Sequence, residues 1–271
     1  MSTRQIVVIA GCLTTGIILW MLPRTALSAK TEAKSTIMGA AEVEQQVEML
    51  KKELPQQDLV QLEYYEKQLK EAAQPAKAAW YDSLAAYWDR QMRPGIAAEY
   101  VYFMASSTGS GNDWLRAGKR FLGLASFFSP EEKTMLAGRA VECLEKAYQS
   151  DSLNQDIQTN LGIAYTQSGT QPMKGIALLL KVTQANPANF EAQFNMGLFS
   201  MQSGQYDKAI GRFKTAMELR SDLPEIRLYL SEALAGAGQM EEARKTLQEL
   251  KNLTRDTMLI QEADRRLKQI K

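Results

Sequence analysis

Small and large apolar residues return along this chain at steps of three and four, the spacing that puts them on one face of an α-helix. Between Ile157 and Leu250 the pattern itself repeats. Gly175, Ala209 and Ala243 are 34 residues apart, as are Leu179, Phe213 and Leu247, and Val182, Ala216 and Leu250. The preceding halves align as Leu161-Gly162, Met196-Gly197 and Leu230-Ser231, and Gly169, Gly204 and Gly238 close them. The first of those glycine steps is 35 and the second 34, so one extra residue sits near Thr170 to Pro172. A period of this length predicts stacked helical hairpins, none able to bury its apolar face alone.

The same reading extends outward from the repeats. Val43, Val47, Leu50 and Leu54 form a narrow seam that Pro55 interrupts, and Asp58 is placed to cap the helix that follows. Leu59, Leu62 and Leu69 continue the seam, with Glu66 between them. Trp80, Leu84, Tyr87 and Trp88 share one helical face, a stripe expected in the core. Pro94 opens another helix, and Ser106 to Asn112 reads as a turn before a helix capped by Asp113. Ala117, Phe121 and Leu124 repeat the small-large-small spacing, so Pro94 to Phe128 reads as a degenerate repeat. Ser129-Pro130-Glu131-Glu132 is a strong helix start, leading into Ala140, Leu144 and Ala147. Ile260, Ala263, Leu267 and Ile270 mark an amphipathic helix that would shield the last repeat.

Residues 6–22 are apolar and carry no charge, a stretch of roughly 25 Å as a helix. Trp20, Arg4 and Arg24 would lie at the membrane interfaces. The leading expectation is a retained membrane span. A cleaved signal peptide ending near Ala26-Leu27-Ser28 and a lipoprotein signal at Ile9-Ala10-Gly11-Cys12 are the alternatives. The expected organisation is an anchor at 1–28, a linker at 29–39, a helical region at 40–93, degenerate repeat-like helices at 94–153, three repeats at 154–253 and a capping helix at 254–271.

The residues of the repeats resemble the tetratricopeptide repeat family, whose pattern is W-x2-L-G-x2-Y, then A-x3-F, then P. Leu161-Gly162 with Tyr165 matches the first part, Ala209 with Phe213 the second, and Pro187 the third. Gln158, Gln193 and Arg227 stand where the family has Trp. The resemblance implies an all-α fold: a right-handed solenoid of helix hairpins whose first helices line a concave groove. It also implies that an asparagine just before the Leu-Gly pair faces that groove and bonds the backbone of an extended peptide. Asn160 and Asn195 hold this position, and Tyr229 replaces them in the third unit. The other reading is that these amides bond only their own helices. Ile163, Gln167, Phe194, Leu198, Met201, Gln202 and Leu228 would line the same surface. Asp156, Glu191, Glu225 and Glu232 would make it acidic. The basic clamp with which family members hold a terminal carboxylate is absent.

Composition narrows the function. Lys+Arg total 32 and Asp+Glu 31, so the chain lacks the basic excess of a nucleic-acid binder. There is no histidine, which removes the commonest general base and metal ligand. No phosphate-cradling glycine motif and no nucleophile-base pairing is present. The expectation is a non-enzymatic, membrane-anchored scaffold for protein or peptide partners, without metal or cofactor. A self-associating assembly subunit, joined through residues 40–72, is the alternative. Flanking charge alone slightly favours a cytoplasmic body. The resemblance to bacterial repeat proteins with a single N-terminal anchor favours a periplasmic one.

Overall fold

The computed structural model describes residues 40–270, apart from 126 and 127. The membrane-span expectation for residues 6–22 and the linker to residue 39 lie outside the described residues. Among those described, thirteen α-helices follow one another and no helix is long and apolar enough to cross a membrane. They are α1 (Ala40–Lys51), α2 (Gln56–Glu71), α3 (Lys77–Arg90), α4 (Pro94–Thr108), α5 (Gly111–Ala125), α6 (Pro130–Ser150) and α7 (Gln155–Ser168). After them come α8 (Pro172–Ala185), α9 (Phe190–Gln202), α10 (Tyr206–Leu219), α11 (Ile226–Gly236), α12 (Met240–Leu253) and α13 (Thr257–Gln269).

The local chemistry explains where these helices begin and end. Pro94, Pro130 and Pro172 each stand in a first turn, where a missing N–H costs nothing. Ser129 accepts from the backbone N–H of Glu132, whose carboxylate accepts from the backbone N–H of Ser129, a closed capping box. Asn154, Asn189 and Asp256 accept backbone N–H groups at the starts of α7, α9 and α13. Asp58 and Asp113 sit inside the first turns of α2 and α5 rather than at their caps, so those two expectations shift by a few residues. Gly169, Gly204 and Gly238 have φ of 67°, 71° and 80°, the left-handed turn that ends each first helix and sends the chain back.

Helices pack chiefly on their sequence neighbours, as hairpins α3–α4, α5–α6, α7–α8, α9–α10 and α11–α12. α13 covers the last hairpin: Ala263 is buried with Leu228, Leu247 and Leu250. α2 packs on α3 and α1 on α4. One expectation is corrected here. Pro94 to Phe128 does not form a repeat hairpin, because α4 packs more extensively on α3 than on α5. The small-large-small residues Ala117, Phe121 and Leu124 of α5 are buried, with Phe121 beside Arg139 of α6, and Leu144 of α6 fills the space beside Gly118. α5 is therefore a first helix and α6 its second.

Contacts between successive first helices set the stacking. Arg116 and Arg120 of α5 pair with Asp82 and Asp89 of α3. Lys119 of α5 meets Asp156 of α7 at 3.1 Å. Asn189, at the cap of α9, donates to Thr159 of α7 at 3.3 Å. Arg266 of α13 meets Glu232 of α11 at 3.0 Å and donates to the Leu228 carbonyl at 2.8 Å. On the second helices, Arg139 of α6 pairs with buried Glu99 of α4 at 3.0 Å and lies 3.8 Å from the centre of the Tyr102 ring. A buried carboxylate needs such a partner.

Candidate peptide-binding surface

Half-buried apolar side chains of the expected surface cluster on α9 and α11. Asn189 fixes the entry of α9, and Gly197 lets α10 approach so closely that an added Cβ would lie 2.7 Å from the Phe213 ring. That approach seats Phe213 beneath α9, fully buried. Four rings gather there. Phe194 meets Tyr229 edge-on at 5.1 Å and Phe213 at 5.8 Å, and it stacks on Phe190 at 5.8 Å. Phe213 and Tyr229 lie 5.9 Å apart. Leu198 and Met201 continue the half-buried stripe along α9. Phe194, Leu198 and Met201, one helical stripe in the sequence, thus lie together, and Tyr229, from the position the resemblance gives to an asparagine, joins them.

Phe190 is not among the expected residues, although its place four before Phe194 is a signal that could have found it. Arg220 lies 5.5 Å from the centre of its ring. The Asp222 carboxylate holds Arg220 above its ordinary pKa, with Glu191 and Glu225 adding to the effect.

The remaining expected residues divide. Asn160 donates its amide to the Asp156 carbonyl at 2.8 Å, and Asn195 to the Glu191 carbonyl at 2.9 Å. Asn160 spends both amide N–H groups on Asp156, the second on its carboxylate at 2.8 Å, and Asn195 spends one of its two on its own helix. Neither amide oxygen has a protein partner among the described residues, so the acceptor half of each amide is available. Gln202 is exposed at the end of α9. Gln167 is half-buried, and its amide oxygen is buried without a hydrogen bond. Ile163 and Leu228 are corrections. Ile163 packs with Leu179, Val182, Ala192 and Met196 between two repeats, and Leu228 packs under α13, so neither offers surface.

The predicted acidity is also reduced. Asp156 is paired with Lys119, and Glu232 with Arg266, cations contributed by neighbouring helices. Of the four carboxylates, Glu191 and Glu225 have no ion pair among the described residues.

At the family's tryptophan position, Gln158 and Gln193 are buried and donate to the carbonyls of Ser152 and Pro187, six residues back in each case. Arg227 at the same place has buried Nε and Nη1 atoms without a hydrogen bond. The two glutamines therefore tie the preceding loop to the helix, where an indole would fill space.

No group of acidic, histidine or cysteine side chains among the described residues is arranged to hold a metal. Burial pushes the Cys143 thiol up to about 12, so at neutral pH it carries no thiolate.

Residues 200–263 match the tetratricopeptide repeat family. A comparison with curated proteins finds no match. Among solved structures, the chain is similar to a thermophilic tetratricopeptide repeat protein of Thermus thermophilus, with 18% identity and a TM-score of 0.53, over 69% of this chain and 97% of that one. It is also similar to the MamA protein, at 18% identity and a TM-score of 0.50, over 65% of this chain and 90% of that one. Scaffolds of this repeat kind are non-enzymatic, and their fold implies protein or peptide partners. The described chain is an all-α helical solenoid similar in fold to tetratricopeptide repeat proteins.

Proposed function

We propose that this solenoid is the body of a membrane-anchored scaffold of the bacterial cell envelope, which holds an extended segment of another protein along its first helices. The observation that carries the reading is the half-buried stripe of Phe194, Leu198 and Met201, joined edge-on by Tyr229. Aromatic and methionine side chains that stay partly exposed on a rigid platform are typical anchors for a polypeptide partner. The free amide oxygens of Asn160 and Asn195 stand ready to accept backbone N–H groups beside it. Anchoring rests on the apolar, uncharged residues 6–22. A periplasmic body rests on the resemblance to singly anchored bacterial repeat proteins.

A photoreactive residue at Met201 should crosslink to a polypeptide in native membranes, and one at exposed Lys133 on α6 should not. Equal yields from both sites would refute the groove. The chain should resist alkaline extraction from membranes, and protease added to spheroplasts should digest its body. Protection of the body would overturn the periplasmic assignment and leave the groove untouched.

A second reading, self-association through residues 40–72, is favoured by one observation. Met49, Val60 and Tyr64 are large apolar side chains exposed on α1 and α2. Deleting those residues and measuring mass in detergent separates the two readings.

A further inference from the structure

A second surface lies on the second helices, away from the aromatic stripe. α8 and α9 pack more sparsely than any other consecutive pair from α3 to α13, and a cleft of about 600 Å³ opens between α8 and α10, with α9 beneath. Ile176 and Leu180 of α8 and Met196 and Phe199 of α9 make its apolar side. Lys208 and Arg212 of α10 make its charged side, and no carboxylate is among the lining residues. Arg212 donates to the Gln193 amide oxygen at 2.6 Å, and Lys208 to that of Gln205 at 2.7 Å. Both cations are therefore met by neutral groups, and their charge is uncompensated within the cleft.

The repeat does not require this surface. Met173, Ile176 and Leu180 stand at i, i+3 and i+7 on α8, with Met173 73% and Leu180 39% exposed. One period later, α10 has Asp207 and Lys214 at the positions of Met173 and Leu180, and α12 has Glu241 and Gln248. The polar choice is the ordinary one for an outward face, so Met173 and Leu180 depart from their own repeat, while Ile176 is matched by Ile210 of α10. Gly211, on the opposite wall, has nothing within 4 Å of an added Cβ, so no side chain fills the space.

We infer that this cleft is a docking site for an acidic amphipathic helix of a partner protein. Apolar residues of the partner at i, i+3 and i+7 would lie along Met173, Ile176 and Leu180. Carboxylates flanking them would meet Lys208 and Arg212. A cleft between two helices with apolar side chains along it is the seat that helix-in-groove recognition uses, and unneutralised cations on one wall select the sign of the occupant. The site is separate from the aromatic stripe and does not depend on the function proposed for it.

The test is a titration of the full chain with a fluorescein-labelled helical peptide of about 18 residues, long enough to support a helix. Leu occupies its i, i+3 and i+7 positions with Glu beside them, and a twin carries Lys for Glu. The acidic peptide should bind, and the twin should bind about tenfold more weakly or worse. Lys208→Glu and Leu180→Asp, both exposed, should each weaken the acidic peptide severalfold with the helical circular dichroism unchanged. Phe194→Ala should leave it unaffected.

Equal binding of the twin, or indifference to both cleft variants, overturns the inference. Loss with Phe194→Ala overturns it as well, because the peptide then sits on the other surface. Displacement by equimolar laurate would make the occupant a small amphiphile. Self-association abolished by Lys208→Glu in sedimentation would make it a second copy of the chain. Either outcome removes the partner helix.

Discussion

Gly175→Ala should loosen the hairpin on which the stacking depends. Gly175 of α8 crosses Gly162 of α7, and a Cβ at residue 175 would lie 2.5 Å from the Gly162 carbonyl oxygen. It would also lie 3.0 Å from Thr166 Cγ2 and from Tyr165 Cβ. The nearest obstacle is backbone, which has no rotamer to change. Opening that contact to about 3.5 Å parts the two helices by about 1 Å. A gap of that size forfeits a quarter to a half of the dispersion attraction between the atoms it separates. Overpacking of this kind costs about 1–3 kcal/mol. Against it stands the helix propensity of Ala over Gly, about 1 kcal/mol. The expected net result is a loss of up to about 2 kcal/mol.

Gly211→Ala is the matched control. It too is helical, but nothing lies within 4 Å of its added Cβ. Only the propensity gain remains, up to about 1 kcal/mol. Urea denaturation followed by circular dichroism measures both variants. Amide hydrogen exchange in α7 and α8 localises the first, since repeat arrays can open in parts. A Gly175→Ala variant more stable than the parent, or a shift of the midpoint in the same direction by both alanines, would refute the clash.

Phe213→Ala empties a fully buried ring site and should cost about 3–5 kcal/mol, with loss of the edge-on contact between Phe194 and Tyr229 visible as altered near-ultraviolet circular dichroism. Arg266→Ala removes the tie from α13 to the Leu228 carbonyl and to Glu232, and should free the last helix by about 1–2 kcal/mol, read as faster exchange confined to Thr257–Gln269. Burial opposes the charge of Glu142, but hydrogen bonds from Tyr102, Lys146 and Arg139 outweigh it and hold the carboxyl below its ordinary range. A depressed carboxylate adds stability that is complete above the unfolded value near 4.5 and lost as pH falls through the folded one. Glu142→Gln should therefore show a shallower acid loss of stability than the parent in urea titrations below that pH.

Much of this architecture is written in short-range pattern. The 34-residue step of Gly175, Ala209 and Ala243 marks where second helices press on first ones, because only small residues permit the crossing. Gly169, Gly204 and Gly238 mark the reversals, because a left-handed residue is needed there. The phase of the earlier helices was not readable in the same way. Ala117, Phe121 and Leu124 have the spacing of a second helix, yet α5 is a first helix. Both helices of a hairpin bury a small-large-small face, so that spacing cannot say which of the two it belongs to. At the candidate surface, Phe194, Leu198 and Met201 were legible as one stripe. Ile163 and Leu228 were not legible as packing residues, because a half-buried groove position and a fully buried inter-repeat position share the same periodicity.

Sequence alone determined that this protein is a stack of helical hairpins, and where the hairpins of the three repeats turn. These are local properties: backbone conformation, helix periodicity and the side chains available. Tertiary structure decided which helices pair and which carboxylates are neutralised. It also decided where the stack opens into a cleft. Those outcomes depend on residues more than thirty positions apart meeting across helices, as Lys119 meets Asp156 and Arg266 meets Glu232, and no local pattern specifies the partner at that distance.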